Sequence, residues 1–128
     1  MNLEAIKFDD DLEMSVFILE QQGSIRLVLS DELALADEIM ANDYKEKIVH
    51  MLGVSAYWYE LAEKRIFSEL SMTGQLMAIY LLSEQTSSDF IFGLLYRVDA
   101  EVEHGRGMKI SLEEMTIIDY GDADRAFC

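Results

Sequence analysis

The first thirty residues alternate between apolar and polar side chains with a period of two. Apolar side chains occupy every second position of a first run, at Leu12, Met14, Val16 and Ile18. A second run repeats the pattern, at Ile25, Leu27 and Leu29. Residues 21–23 separate the two runs, so the pattern predicts a β-hairpin closed by a turn at these residues. We interpret residues 3–8 as a short additional strand.

Residues 31–70 follow a helical period instead. A short helix is predicted over residues 32–41, and Asp43 with Glu46 has the spacing of a capping box that opens a longer second helix. Apolar side chains then recur three, four and seven positions apart, at Ile48, Leu52, Tyr59, Ala62, Ile66 and Leu70. Gly53 lies inside this stripe and is expected to kink or split the helix, because glycine costs about 1 kcal/mol relative to alanine there.

From residue 74 onward the pattern returns to a period of two. Strands are predicted over residues 75–83 and 90–98, separated by the polar loop 84–89. Both strands are apolar on both faces, which is typical of central strands buried on two sides. Two shorter strands follow, over residues 107–111 and 115–120.

These elements predict one α+β domain spanning residues 1–128. The expected architecture is an antiparallel sheet, with element order ββ-αα-ββββ, packed against one long central helix and a shorter helix. A chain of 128 residues fits one domain, and it contains no proline and no Gly/Ser-rich linker.

The charge is strongly negative and unevenly distributed. The chain carries 25 acidic and 10 basic side chains, for a net charge of −15. Residues 1–43 hold 11 acids and 2 bases, residues 44–70 hold 4 of each, and residues 71–128 hold 10 acids and 4 bases. Phosphate repels such a surface, so we expect no nucleic acid and no anionic membrane as partner. A basic protein remains a suitable partner.

The sequence indicates a cytoplasmic protein. Its one cysteine, Cys128, permits no internal disulfide. The first residues lack the positive start and apolar run of a signal peptide, and no run of 18 apolar residues could span a membrane.

Few residues suggest catalysis or a cofactor, and we expect neither a metal nor a cofactor. His50 has no partner at the spacing of a metal-binding helix motif. His104 follows Glu103, which could orient it as a general base, but a structural role in the turn before Gly105 is favoured. The carboxylate run at residues 9–13 lacks the glycine and the final glutamate of a calcium loop.

The aromatic triplet Tyr57-Trp58-Tyr59 covers more than half of the circumference of its helix. We therefore expect at least one of the three rings to face away from the sheet. A core role is favoured for the group, and an anchor in a partner interface is the alternative.

Two segments near the end resemble a known group of proteins. Glu103-His104-Gly105-Arg106-Gly107 and the tail at residues 118–127 resemble the E-H-G-x-G turn and G-x-A-D-x-A-F-like tail of small acidic bacterial α+β domains. Some of these domains look like immunity proteins of polymorphic toxin and contact-dependent growth inhibition systems. The resemblance implies structural roles for Glu103, His104, Gly105 and Gly107, with Ala126 and Phe127 capping the core.

The resemblance and the charge together predict a non-catalytic immunity protein. Its partner would be a cognate toxin domain, basic and nuclease-type, whose cleft or neighbouring surface the carboxylates occlude. The partner-binding residues are predicted from charge density in two patches, at Asp9, Asp10, Asp11 and Glu13 and at Asp122 and Asp124. The alternatives are a DNA-mimic inhibitor of a nucleic-acid enzyme, a small enzyme using His104, and a regulatory domain.

Overall fold

The computed structural model describes residues 3–30, 42–82, 89–99 and 105–127 of the protein. Six strands form one sheet in the order β1-β2-β3-β4-β5-β6. The strands are β1 (Glu13–Ile18), β2 (Gly23–Leu29), β3 (Gln75–Leu81), β4 (Ile91–Arg97), β5 (Arg106–Ser111) and β6 (Thr116–Gly121). The helices are α1 (Asn42–Gly53) and α2 (Ser55–Leu70). The α+β class is confirmed, and the short helix predicted over residues 32–41 lies outside the described residues.

The N-terminal hairpin is confirmed, but the additional strand before it is wrong. β1 and β2 pair antiparallel with Val16 opposite Ile25, and a 3₁₀ turn at Leu19–Gln21 joins them. Residues 3–5 form another 3₁₀ turn, in which the Ile6 amide donates to the Leu3 carbonyl at 3.2 Å. This segment satisfies a hydrogen bond locally instead of joining the sheet.

The sheet is mixed, which corrects the antiparallel sheet predicted from the sequence. β2 and β3 run parallel, with Leu27 beside Ile79, while the other four strand pairs are antiparallel. Both helices lie in the chain between β2 and β3, and a long crossover of this kind allows the next strand to run in the same direction. β3 and β4 are central, as their two apolar faces predicted.

The long central helix is matched only in part, because the chain divides into α1 and α2 at Gly53, where a kink or split was expected. Val54 has φ −107° and ψ 23°, outside the helical region. The indole of Trp58 donates to the Met51 carbonyl at 2.8 Å. In an unbroken helix that carbonyl would accept the amide four residues on, so Trp58 satisfies an acceptor released by the break.

The helices cover one face of the sheet through aromatic contacts. The ring of Trp58 lies edge-on to Phe92 at 5.6 Å, and Tyr44 lies 5.4 Å from Phe90. Trp58 is fully buried, whereas Tyr57 is 66% exposed. The expectation that one ring of the aromatic triplet faces away is confirmed. Within the described ranges, neither helix combines the length and apolar composition needed to cross a membrane.

The opposite face, which we call the outer face, is covered in part by the chain's own C-terminal tail (residues 122–127). This tail includes a 3₁₀ turn at Ala123–Ala126 that packs on β4 and β5. A β-carbon on Gly93 would overlap the Ala126 carbonyl, and one on Gly107 would lie 2.5 Å from the Ala123 carbonyl oxygen. The two glycines therefore form the floor on which the tail rests.

A polar cluster fastens the C-terminal end of α2 to β5 and β6. One carboxylate oxygen of Glu69 accepts hydrogen bonds from Arg106 Nε at 2.8 Å and from the Tyr120 hydroxyl at 2.7 Å. The guanidinium of Arg65 lies 3.9 Å from the centre of the Tyr120 ring, in cation–π geometry. The hydrogen bonds from Arg106 and then Tyr120 lower the pKa of Glu69.

Raising the pH through the range from about 10 to about 12 is expected to lower the free energy of unfolding. Burial, and then the hydrogen bond to Glu69, raises the pKa of Tyr120 to about 12. Burial, and then the charge of Glu63, raises the pKa of Tyr59 to about 12. Burial also raises the pKa of Tyr96 well above 10.

A tyrosine in the unfolded chain has a pKa of about 10, so the unfolded chain releases these protons at a lower pH than the folded chain does. Each further rise in pH through this window therefore favours the unfolded state. Below that pH this contribution to stability is fully present. Urea denaturation across the window measures the loss, and Tyr120→Phe should make the pH dependence shallower. A stability that stays constant through this window would contradict the expectation.

Candidate functional site

The first predicted acidic patch lies at the start of β1, on an edge strand. Asp9, Asp10 and Asp11 are exposed in the loop before the strand, and Glu13 is its first residue. One carboxylate oxygen of Asp9 accepts the backbone amides of Asp11 at 2.9 Å and Glu13 at 3.0 Å. Asp9 therefore shapes the loop, while Asp10 and Asp11 present their carboxylates on it. We call residues 9–11 the acidic loop.

The second predicted patch lies elsewhere on the molecule. Asp122 directly follows β6, the other edge strand, and Asp124 belongs to the tail above β4 and β5. Their backbone carbonyls accept the amides of Arg125 at 2.9 Å and Phe127 at 3.1 Å. β2 and β3 lie between this patch and the acidic loop, and the two sheet edges are roughly 24 Å apart at about 4.8 Å per strand. The structure does not bring the two patches together.

Only part of the predicted E-H-G-x-G motif can be placed. Gly105 has φ +58°, and a β-carbon there would lie 2.5 Å from the Tyr96 carbonyl oxygen. Gly107 lies in β5 beneath the tail. Both positions require glycine, because a β-carbon at either one would lie too close to a backbone carbonyl oxygen. Glu103 and His104 lie outside the described residues.

One part of the outer face that the tail does not cover belongs to β1, β2 and β3. Pairing across these strands places Glu13 beside Val28 and Val28 beside Tyr80. Phe17 is 60% exposed and Met77 is 40% exposed on the same side. We call this surface the open sheet face, formed by Glu13, Ser15, Phe17, Ser24, Arg26, Val28 and Met77. Tyr80 lies at its border, in contact with Phe127 of the tail.

The open sheet face is continuous with the acidic loop. A groove of about 440 Å³ is lined by Asp9 and Glu13 at one end and Met77 at the other. Arg26 lies between them, with its Nη1 atom 3.4 Å from a carboxylate oxygen of Glu13. This pairing offsets the one positive charge on the face, so the acidic loop dominates the local field.

A second cleft, of about 560 Å³, lies between the β1–β2 turn and α2. The Gln21 side chain donates to the Leu76 carbonyl at 2.9 Å and accepts the Leu76 amide at 3.2 Å. The Tyr59 hydroxyl also donates to it, at 3.0 Å. Since the pKa of Tyr59 is raised to about 12, its phenol is a hydrogen-bond donor and not a base at neutral pH. The polar groups of this cleft hold the turn against β3.

Sequence reasoning found the acidic loop but missed the apolar half of the surface beside it. The sequence did contain a signal for Phe17. Residues 13, 15 and 17 share one face of β1, and Phe17 is a large apolar residue on the face that Glu13 and Ser15 mark as polar. Met77 carried no such signal. It is skipped in the β3–β4 register, where the pairing shifts between Leu76 and Ala78, and only the paired structure shows that irregularity.

The arrangement suits binding between macromolecules. It combines a preorganised acidic loop, an adjoining groove and two exposed apolar side chains on rigid strands. Among the residues that the structure describes, no three His, Cys, Asp or Glu side chains converge as metal ligands would. No protein-family model, curated protein or solved structure matches this chain.

Proposed function

We propose that the protein is a non-catalytic immunity protein that binds and neutralises a cognate toxin domain, basic and nuclease-type. The observation that carries the proposal is the acidic loop, which presents exposed carboxylates at the edge of the open sheet face. The net charge of −15 supports a basic partner. The resemblance of residues 103–107 and 118–127 to immunity-like domains supports the toxin class.

The loop geometry favours binding to a cleft built for phosphate. The Asp9 carboxylate accepts hydrogen bonds from the backbone amides of Asp11 and Glu13, and these bonds limit the conformations of the loop. Less ordering is then required when Asp10 and Asp11 meet arginine or lysine side chains. Carboxylates in those positions would occupy the place of the nucleic-acid backbone and exclude it.

We expect the gene beside this one to encode a basic domain whose nuclease activity is lost when one equivalent of this protein is added. The association rate constant should fall about tenfold when the ionic strength rises from about 0.01 M to physiological values, because steering by exposed charges is screened. The double variant Asp10→Asn/Asp11→Asn should lower that rate several-fold at low salt. Stopped-flow mixing measures both effects.

The matched control is Asp122→Asn/Asp124→Asn, which removes the same charge at a distance from the loop. Asp9 is left in place because it shapes the loop. An association rate insensitive to salt, or equally lowered by both double variants, would contradict a role for the acidic loop. If neither neighbouring gene encodes a basic domain that this protein binds, the immunity function is wrong.

A further inference from the structure

We infer that the open sheet face is the docking surface for the basic toxin domain, with Phe17 and Met77 as its apolar anchors and the acidic loop as its charged rim. The inference rests on the proposed function and adds to it where the partner docks and what chemistry it presents. The partner's surface would carry an apolar centre bordered on one side by arginine or lysine side chains.

The two halves of the outer face differ in whether the tail packs on them. Over β4 and β5, Gly93 and Gly107 leave room for the tail, whose Ala126 is fully buried there. Over β1 and β2, outward side chains such as Phe17 occupy the corresponding space. The tail ends beside this half, where the Phe127 ring lies 5.2 Å from Tyr80. Among the described residues none covers Phe17, which is 60% exposed, and Met77 on the same half is 40% exposed. Contiguous exposed apolar surface marks interaction sites, and these two side chains are the apolar part of this half.

The open sheet face alone is too small for a stable protein interface, so the acidic loop at its edge must take part in the contact. Three strands about 4.8 Å apart, with six residues of about 3.4 Å each, present roughly 290 Å². A stable protein interface buries about 800 Å² on each partner. The contact must therefore extend beyond the strands, and the groove between Met77 and Asp9 continues the surface onto the acidic loop.

Charge favours a basic partner over a second copy of this chain. A symmetric dimer through the open sheet face would use the same surface twice and bring two acidic loops into one interface. Each copy carries −15, and the nearby Arg26 is already paired with Glu13. A basic partner supplies the opposite charge instead.

The test compares Phe17→Ser with Phe67→Ser in binding to the purified toxin domain of the neighbouring gene. Phe67 is the matched control, because it is 56% exposed on α2, on the other side of the sheet. Phe17→Ser should weaken the equilibrium affinity at least about tenfold, mainly through faster dissociation, as expected for an interface anchor. Phe67→Ser should change it less than about twofold.

Met77→Gln is a second variant on the same face and should also speed dissociation. Circular dichroism melting checks that each variant is folded.

If the toxin is neutralised but Phe17→Ser and Met77→Gln bind like the unaltered protein, the docking surface is wrong and the proposed function stands. If no toxin domain binds at all, both fail. If the free protein sediments as a dimer that Phe17→Ser dissociates, the occupant is a second copy and the inference is overturned.

Discussion

Replacing Gly93 by alanine is expected to lower the free energy of unfolding by about 3 kcal/mol. The new methyl group would overlap the carbonyl of Ala126, which is backbone and cannot move aside as a side-chain end could. The tail must lift from β4, so the burial of Ala126 and the contact of Phe127 with Tyr80 are weakened. Overpacking of a tight contact usually costs about 1–3 kcal/mol, and the loss of tail packing places this case at the upper end.

Gly53→Ala is the matched control, because it makes the same chemical change where a β-carbon would meet nothing within 4 Å. Gly53 ends α1, so alanine there should be neutral or should stabilise the protein by up to about 1 kcal/mol. Urea denaturation of both variants gives the comparison. Equal stability of the Gly93→Ala variant and the unaltered protein would show that the tail does not rest on β4.

Replacing Trp58 by alanine is expected to cost about 4 kcal/mol of stability. The indole is fully buried and packs edge-on against Phe92, so its removal leaves a cavity between α2 and the sheet. Truncations of buried aromatic side chains cost about 3–5 kcal/mol. The substitution also removes the donor for the Met51 carbonyl at the break between α1 and α2.

Two further variants separate the sources of this loss. Trp58→Phe keeps an aromatic ring against Phe92 but lacks the donor, so it should be less destabilising than Trp58→Ala. Tyr57→Ala changes the adjacent residue, which is 66% exposed, and should alter stability by no more than about 0.5 kcal/mol. Thermal or urea unfolding ranks the three variants. Similar losses for Tyr57→Ala and Trp58→Ala would contradict the burial of Trp58.

Both predictions concern the scaffold that holds the candidate binding surface. The tail covers β4 and β5, and the helices cover the other face, so the open sheet face is presented by strands supported from behind. Because Phe17 and Met77 stand on strands and not on a mobile loop, little ordering is required for them to meet a partner. Stability variants on the helix side of the sheet, such as Trp58→Ala, should therefore change the fraction folded and leave the affinity of the folded molecules for a partner nearly unaltered.

Local patterns in the sequence were enough for the six described strands and their approximate ends, but they also predicted a strand at residues 3–8 that does not form. Alternation with a period of two predicted the hairpin of β1 and β2, and two-sided apolar runs predicted that β3 and β4 are central. These features depend on neighbouring residues only. The acidic loop was also evident from local charge density, since Asp9, Asp10 and Asp11 are consecutive.

The parallel pairing of β2 and β3 could not be predicted in the same way. The period of a strand determines which side chains share a face, but it does not determine the direction of the neighbouring strand. That direction depends on the path of the chain through α1 and α2. The division of the two helices was signalled by Gly53, yet the hydrogen bond from Trp58 to Met51 that accompanies it became visible only when the indole was placed.

By itself, the sequence determined the α+β class, the positions of the strands and the excess of negative charge at both ends of the chain. Only the tertiary structure decided which charges lie together. It separated Asp122 and Asp124 from the acidic loop, because β1 and β6 became opposite edges of the sheet. It also placed the tail over Gly93 and left Phe17 open beside the acidic loop. The physical reason is that these neighbourhoods arise from contacts between residues distant in sequence, which local periodicity does not encode.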